Sequence, residues 1–157
     1  MSEPNLGQAV EAFLGAHNVL GLATRGDDGR PHAASLMYAS DGLIIYWVSD
    51  PASRHSRHLA ADGRVAATIA PDYDDFKDIR GLQIEGAARR VEGAVESARA
   101  LKLLAGKFGF FSQFLDGPQD LAGKLLDSAV YRLDCRTIAL IDNTVAFGHK
   151  EILRVTP

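Results

Sequence analysis

Leu6, Val10, Phe13 and Leu14 recur at the three- and four-residue spacing of one helical face, and Asn5 followed three residues later by Gln8 predicts where that helix begins. From Asn18 the period shortens to two. The run NVLGLAT, the turn residues Gly26-Asp27-Asp28-Gly29, the run PHAASLMY, the turn Ser40-Asp41-Gly42 and the run LIIYWVS predict three strands joined by tight turns as an antiparallel meander. A short helix around His55 to Ala61 separates these from a fourth strand, RVAATIA, and residues 79–91 form a long fifth one. Gly81 and Gly86 within that strand mark bulges, bends or a close backbone approach. Between Glu92 and Asp127 the pattern is helical, with Ala98, Leu101, Ala105 and Phe108 on one stripe and Gly109, Gly117 and Pro118 as breakers. AVYRLDCRTIALID returns to strand, and Asn143 to Val155 supplies a last strand or extended tail.

Six or seven strands with inserted helices, and no repeat or linker, predict one mainly β domain over residues 1–157. Strands adjacent in sequence favour a closed or partly closed antiparallel barrel over a doubly wound sheet. Its open edges would be managed by a second copy of the chain. Along Leu43 to Ser49, both alternating faces are apolar, so both are expected to be buried.

Composition narrows the partners. Seventeen basic against twenty acidic residues give a net charge of −3, and no basic run is interleaved with aromatics, which argues against nucleic acid. No apolar run reaches the roughly 20 residues of a membrane helix, so no membrane partner is expected. The lone Cys135 cannot form an internal disulfide and the N-terminal residues lack a secretory pattern, which together suggest the cytoplasm.

The stretch from Ser49 to Ile69 holds the densest candidate chemistry. Ser53, Arg54 and His55 bring a hydroxyl, a guanidinium and an imidazole to the start of a helix, where unpaired N–H groups already favour an anion. The alternative is a solvated turn. His55 and His58 are spaced for a metal pair, but Arg54 and Arg57 beside them oppose a cation and no further ligand accompanies them. Neither a nucleophile elbow nor a Walker loop is present. Asp74 and Asp75 fit a solvated loop. Trp47 either stacks on a planar ligand or fills the core, and Gln83, sharing a face with Gly81 and Glu85, either meets a heteroaromatic ring or faces solvent. The segment Asp142 to Lys150, with Phe147 and His149, is either an ordinary hairpin or a docking surface.

Three segments, SRHSRHLAADGRVAATI, IRGLQIEGAARRVEG and IDNTVAFGHK, together resemble in order and separation an uncharacterised bacterial branch of the pyridoxamine 5′-phosphate oxidase-like, FMN-binding split-barrel family. The likeness covers about residues 16 to 150. It implies a six-stranded antiparallel split barrel and a homodimer with FMN in a cleft at the interface. Transferred onto this chain, it sets Ala34, Ser35 and Leu36 beside the flavin ring and Val48 and Ser49 at the strand end near the ribityl chain. Ser53, Arg54 and His55 fall at the phosphate, with His55 where the oxidases carry lysine. Gln83 falls near the ring, and Asn143, Phe147 and Lys150 in the flavin or substrate cleft.

The chain ends EILRVTP, without the tryptophan and Arg-x-His signature of the true oxidases, which argues against oxidation of vitamin B6. The expectation is therefore an FMN-dependent oxidoreductase acting on a small molecule, with His149 and Lys150 as candidates for proton transfer. A deazaflavin would satisfy the same features. The alternative is a non-catalytic binder of flavin, haem or pyridoxal phosphate, or a structural dimer without cofactor.

Overall fold

The computed structural model describes residues 1–111, 113 and 127–156. The expected breakers Gly117 and Pro118 lie outside these residues. Helix α1 (Glu3–Ala16) is followed by β1 (Val19–Arg25), β2 (Pro31–Met37), β3 (Ala39–Asp41) and β4 (Ile44–Ser49). Helix α2 (Arg54–Ala61) leads into β5 (Arg64–Ile69), a 3-10 turn (Phe76–Asp78) and β6 (Arg80–Arg90). Helix α3 (Ala94–Lys107), β7 (Ala129–Asp142) and β8 (Lys150–Arg154) complete the order.

The eight described strands form one antiparallel sheet in the order β2-β1-β5-β6-β7-β4-β3, with β8 also on β7. This exceeds the expected six or seven because the short β3 forms where a turn was expected, while β8 falls within the expected last strand. The expected meander is also corrected: β4 pairs with β3 and β7, and β2 pairs with β1. The run from Pro31 to Asp41 breaks at Tyr38, so its first half sits at one end of the sheet order and its second half at the other. Tyr38 fixes that corner, since its ring is fully buried, its N–H donates to Asn18 O at 3.1 Å and its hydroxyl to Leu14 O at 2.8 Å. The sheet thereby curls into a half-barrel.

Alternation explains the core. Leu20 and Leu22 of β1, Ile45 and Trp47 of β4, and Leu82 and Ile84 of β6 turn inward and meet Leu6, Val10, Phe13 and Leu14 of α1. Full burial of each such aliphatic or aromatic side chain contributes about 1.5–3 kcal/mol relative to exposure. The expected stripe of α1 is the buried one, but the helix begins earlier than Asn5, with Ser2 as N-cap and a proline in the first turn, where no N–H is lost. Lys107 of α3 donates to Leu14 O and His17 O at the far end of α1 and stands 4.1 Å over the Tyr38 ring. That cation supplies what the last turn of α1 lacks.

The other face of β4 is covered by α3, so both faces are shielded as expected. The buried stripe of α3 is Ala100 and Leu104, continuing to Phe108 beyond its end, whereas Ala98 and Ala105 are exposed. Bulky Leu101, Leu103 and Leu104 set the docking face, and the small alanines do not. Within β6 the register shifts between Glu85 and Gly86, and a Cβ at Gly86 would fall 2.3 Å from Asp134 O. Only glycine fits this bulge.

Candidate functional site

The mouth of the half-barrel, where α2 packs on β1, β2 and β6, collects the polar side chains. Thr24 ends the inward-facing row of β1 and is buried; its Oγ1 is 2.9 Å from His58 Nδ1. His32, opposite Thr24 on β2, sets its ring edge-on to His58 with centroids 5.7 Å apart. Ser49, at the end of β4, places Oγ 2.8 Å from His55 Nε2. Ser53 caps α2: its Oγ accepts the Ser56 N–H at 3.4 Å, donates to Ser56 Oγ at 2.7 Å, and stands 3.2 Å from His55 Nε2.

The hydroxyls of Ser49 and Ser53 both engage His55 Nε2, so Nδ1 is the ring nitrogen without a hydrogen bond among the described residues. Burial, then the neighbouring rings of His32 and His58, hold the His55 pKa below its ordinary value. Burial, then Arg54 and His58, do the same to His32.

The cations here differ from their neighbours. Arg25 and Arg64 both grip Asp62, at 3.1 and 2.9 Å, and hold its carboxyl well below the usual carboxylate range. Arg54 and Arg57 form no ion pair among the described residues. They line a cavity of 420 Å³ with His58, Gly26, Asp27 and Asp28. Ser49 and Ser53 engage Nε2 of His55, and Thr24 engages Nδ1 of His58. Among the described residues, no group of three or more ligating side chains is poised to hold a metal ion.

The sheet distributes the remaining expected residues. Ala34 and Leu36 share the half-buried face of β2 with His32, while Ser35 points the other way. Ser35 belongs to an outward row, Ser35–Gly21–Thr68–Gln83–Ala139–Ile152, and Gln83 is exposed on it. In a neighbouring row, Ala33–Ala23–Ala66–Glu85–Thr137–Arg154, the four central residues line a 490 Å³ groove with Arg25, Arg64 and Arg136. Val48 faces α3, away from Ser49. Trp47 is a core residue, stacked on Tyr131 with ring centroids 6.0 Å apart.

Asn143, Phe147, His149 and Lys150 gather elsewhere. Asn143 Nδ2 donates to Phe76 O at 2.7 Å, its N–H donates to Ile79 O at 2.9 Å, and its Oδ1 accepts the Gly148 N–H at 3.0 Å. The Phe76 and Phe147 rings meet edge-on at 5.7 Å, both exposed. Thus the segment is a hairpin that also docks, on the turn before β6. His149 Nε2 is 3.4 Å from Glu151 Oε2. By strand register, Lys150 opposite Ile141 and Gly81 lies at the other end of the sheet from Thr24 and His32. The offset is about 17 Å along the strands and about 19 Å across them. One copy therefore does not bring these residues to α2.

Thr24 and His32 were not anticipated. A polar residue ending an alternating apolar row was the available signal for Thr24, but the partner it would face is set 34 residues away by the packing of α2.

Against this geometry stand the known proteins. Residues 6–125 match the family described as pyridoxamine 5′-phosphate oxidase. The chain belongs to that family. Its relatives include the UPF0306 protein plu4501 of Photorhabdus laumondii, 25% identical over 144 residues, covering 91% of this chain and 92% of that protein. The UPF0306 protein YhbP of Salmonella schwarzengrund is 27% identical over 117 residues, 74% of this chain and 71% of that protein. Among solved structures, the fold is shared with the conserved hypothetical protein Rv2991 of Mycobacterium tuberculosis at a TM-score of 0.73 and 22% identity, over 100% of this chain and 93% of that one. It is also shared with a haem-binding protein of Mycobacterium smegmatis at a TM-score of 0.72 and 24% identity, over 92% of this chain and 56% of that one. HutZ, described as a haem storage protein of Vibrio cholerae, aligns at a TM-score of 0.66 and 19% identity over 82% of this chain and 89% of that one. The split barrel is the common architecture of this family and these neighbours.

Proposed function

We propose that this protein is an FMN-binding oxidoreductase that works as a homodimer on a small organic substrate. The observation that carries the reading is the pair of arginines, Arg54 and Arg57, that form no ion pair among the described residues and stand beside the capped N-terminus of α2 at the barrel mouth. A phosphate there would take charge-assisted bonds from the Arg54 fork, and the dipole of α2 would favour its charge. The outward rows offer a flat floor of small residues, and Gln83 presents both a donor and an acceptor above it. The residues present therefore fit the group. When bound, FMN supplies hydride and electron transfer, and the chain supplies binding, orientation and charge.

Val19, Met37 and Ile152 are exposed on the same outward face, which supports its burial against a second copy. Such a dimer would bring the Phe76–Phe147 pair and Lys150 of one copy toward the cleft of the other. His149, already paired with Glu151, is the better-held of the two candidates for proton transfer.

The haem-binding neighbours support a second reading, a split barrel that binds haem without turning over a substrate. A visible spectrum and FMN titration of the purified protein separates them. Micromolar uptake with perturbed flavin bands that a pyridine nucleotide bleaches supports the oxidoreductase. Bands that never bleach favour a flavin binder, and a haem Soret shift without flavin uptake favours the second reading. Uptake of neither sinks both.

A further inference from the structure

Of the charged clusters in the molecule, the imidazole group at the barrel mouth has the least conventional composition for an anion site. Three rings, His32, His55 and His58, stand where a fixed charge would be simpler, and hydroxyls of Thr24, Ser49 and Ser53 occupy one nitrogen each of His58 and His55. We propose that His55, backed by His32 and His58, makes this mouth a proton-coupled anion site, in which the second ring proton arrives with the anion. The inference rests on the phosphate-binding reading above and adds its regulation.

Neutral His55 carries one ring proton, so binding draws one further proton from solvent and creates an imidazolium beside the arriving negative charge, with both serine hydroxyls at Nε2 and Nδ1 without a hydrogen bond among the described residues. Without the anion, that cation would be opposed by the rings of His32 and His58. The α2 side adds Arg54 and Arg57. Arg25 on β1 is paired with Asp62, and Arg89 and Arg90 of β6 lie on the other face of α2. Nearby carboxylates are committed elsewhere: Asp62 to Arg25 and Arg64, Asp28 to the Arg30 N–H and side chain, and Asp50 to the Ala52 N–H. Asp27 lines the cavity, and Glu92 lies on the far side of α2 with Arg89 and Arg90. No carboxylate hydrogen-bonds to His32, His55 or His58 among the described residues. A dianion is thus the group that turns an unfavourable proton into a favourable one.

The test is an imidazole NMR titration of the full chain, with the His55 signal assigned by its loss in His55→Gln, in sulfate and in chloride of matched ionic strength. Sulfate keeps its charge across the range, so ligand titration does not intrude. The expected result is a midpoint below the ordinary histidine value in chloride that rises by about one unit in sulfate, the direction given by a nearby opposite charge. An unchanged midpoint overturns the inference. FMN affinity relative to His55→Lys, a ratio in which the phosphate's own second ionisation near 6 cancels, is the companion readout from about pH 5 to 8. As pH rises through the free and bound His55 midpoints, wild-type affinity should fall by about tenfold in all against His55→Lys, the change that a one-unit shift carries. A ratio independent of pH also overturns the inference while leaving the cofactor reading intact. A sulfate shift with no FMN uptake at any pH does the reverse.

Discussion

The barrel mouth and the hairpin at the opposite end of the sheet solve contrary problems with similar parts. At the mouth, ionisable rings are drawn into cover, nitrogens of His55 and His58 are engaged by hydroxyls, and Arg54 and Arg57 form no ion pair among the described residues. At the hairpin, the backbone is pinned by Asn143 so that two aromatic rings stay exposed. One region hides polar groups and the other displays apolar ones. Each departs from the ordinary partition of a folded chain, and such departures mark surfaces shaped for something other than stability. On the function proposed above, the difference would suit a mouth that receives charge and a hairpin that a second copy covers.

The largest expected effect lies at the mouth. Arg54→Ala should weaken a phosphate-bearing ligand by about 1.5–3 kcal/mol while leaving the unfolding midpoint in place, because Arg54 is exposed and makes no ion pair among the described residues. Calorimetric titration with FMN measures it, and wild-type affinity would remove the distinction between the two regions. Next comes Asn143→Ala, which deletes the bonds to Phe76 O and from the Gly148 N–H and should cost about 1–2 kcal/mol in a denaturant melt. Phe147→Ala, exposed and contacting Phe76 only at its edge, should stay within about 0.5 kcal/mol in the same melt. A shift toward monomer in sedimentation for Phe147→Ala would show what the ring is displayed for, and an unchanged assembly would remove the dimer from that role.

The smallest effect sharpens the comparison through pH. His55 and His32 have folded-state pKa values below the unfolded value of 6.5, so the unfolded chain binds more protons as acid is added. Their contribution is complete above about pH 6.5 and is lost as pH falls through the lowered folded values. The depressed carboxylates Asp62, Glu96, Asp142 and Glu151 titrate lower, so a loss of thermal stability between pH 6.5 and 5.5 belongs to the mouth. His55→Gln should flatten that slope. A slope that survives both His55→Gln and His32→Gln would place its origin elsewhere.

Gly86 shows how far local pattern reached, since a glycine in a long strand signalled a bulge and the Asp134 carbonyl fills the space a side chain would need. The stripe of α1, both covered faces of β4 and the head of α2 were legible for the same reason: each depends on spacing within a few residues. Pattern failed at Ala98 and Ala105, where small apolar residues mimic a buried stripe that the leucines of α3 define. Burial at Tyr38 and the join of Thr24 to His58 have no local signal. The sequence alone thus determined the elements, the mainly β class and the anion-favouring Ser53-Arg54-His55 step, because periodicity and capping are short-range. Tertiary structure decided the corner that curls the sheet, the assembly of three histidines at one mouth, and the separation of the hairpin from α2. Those outcomes follow from strand order and register, which are set by contacts between residues far apart in the chain.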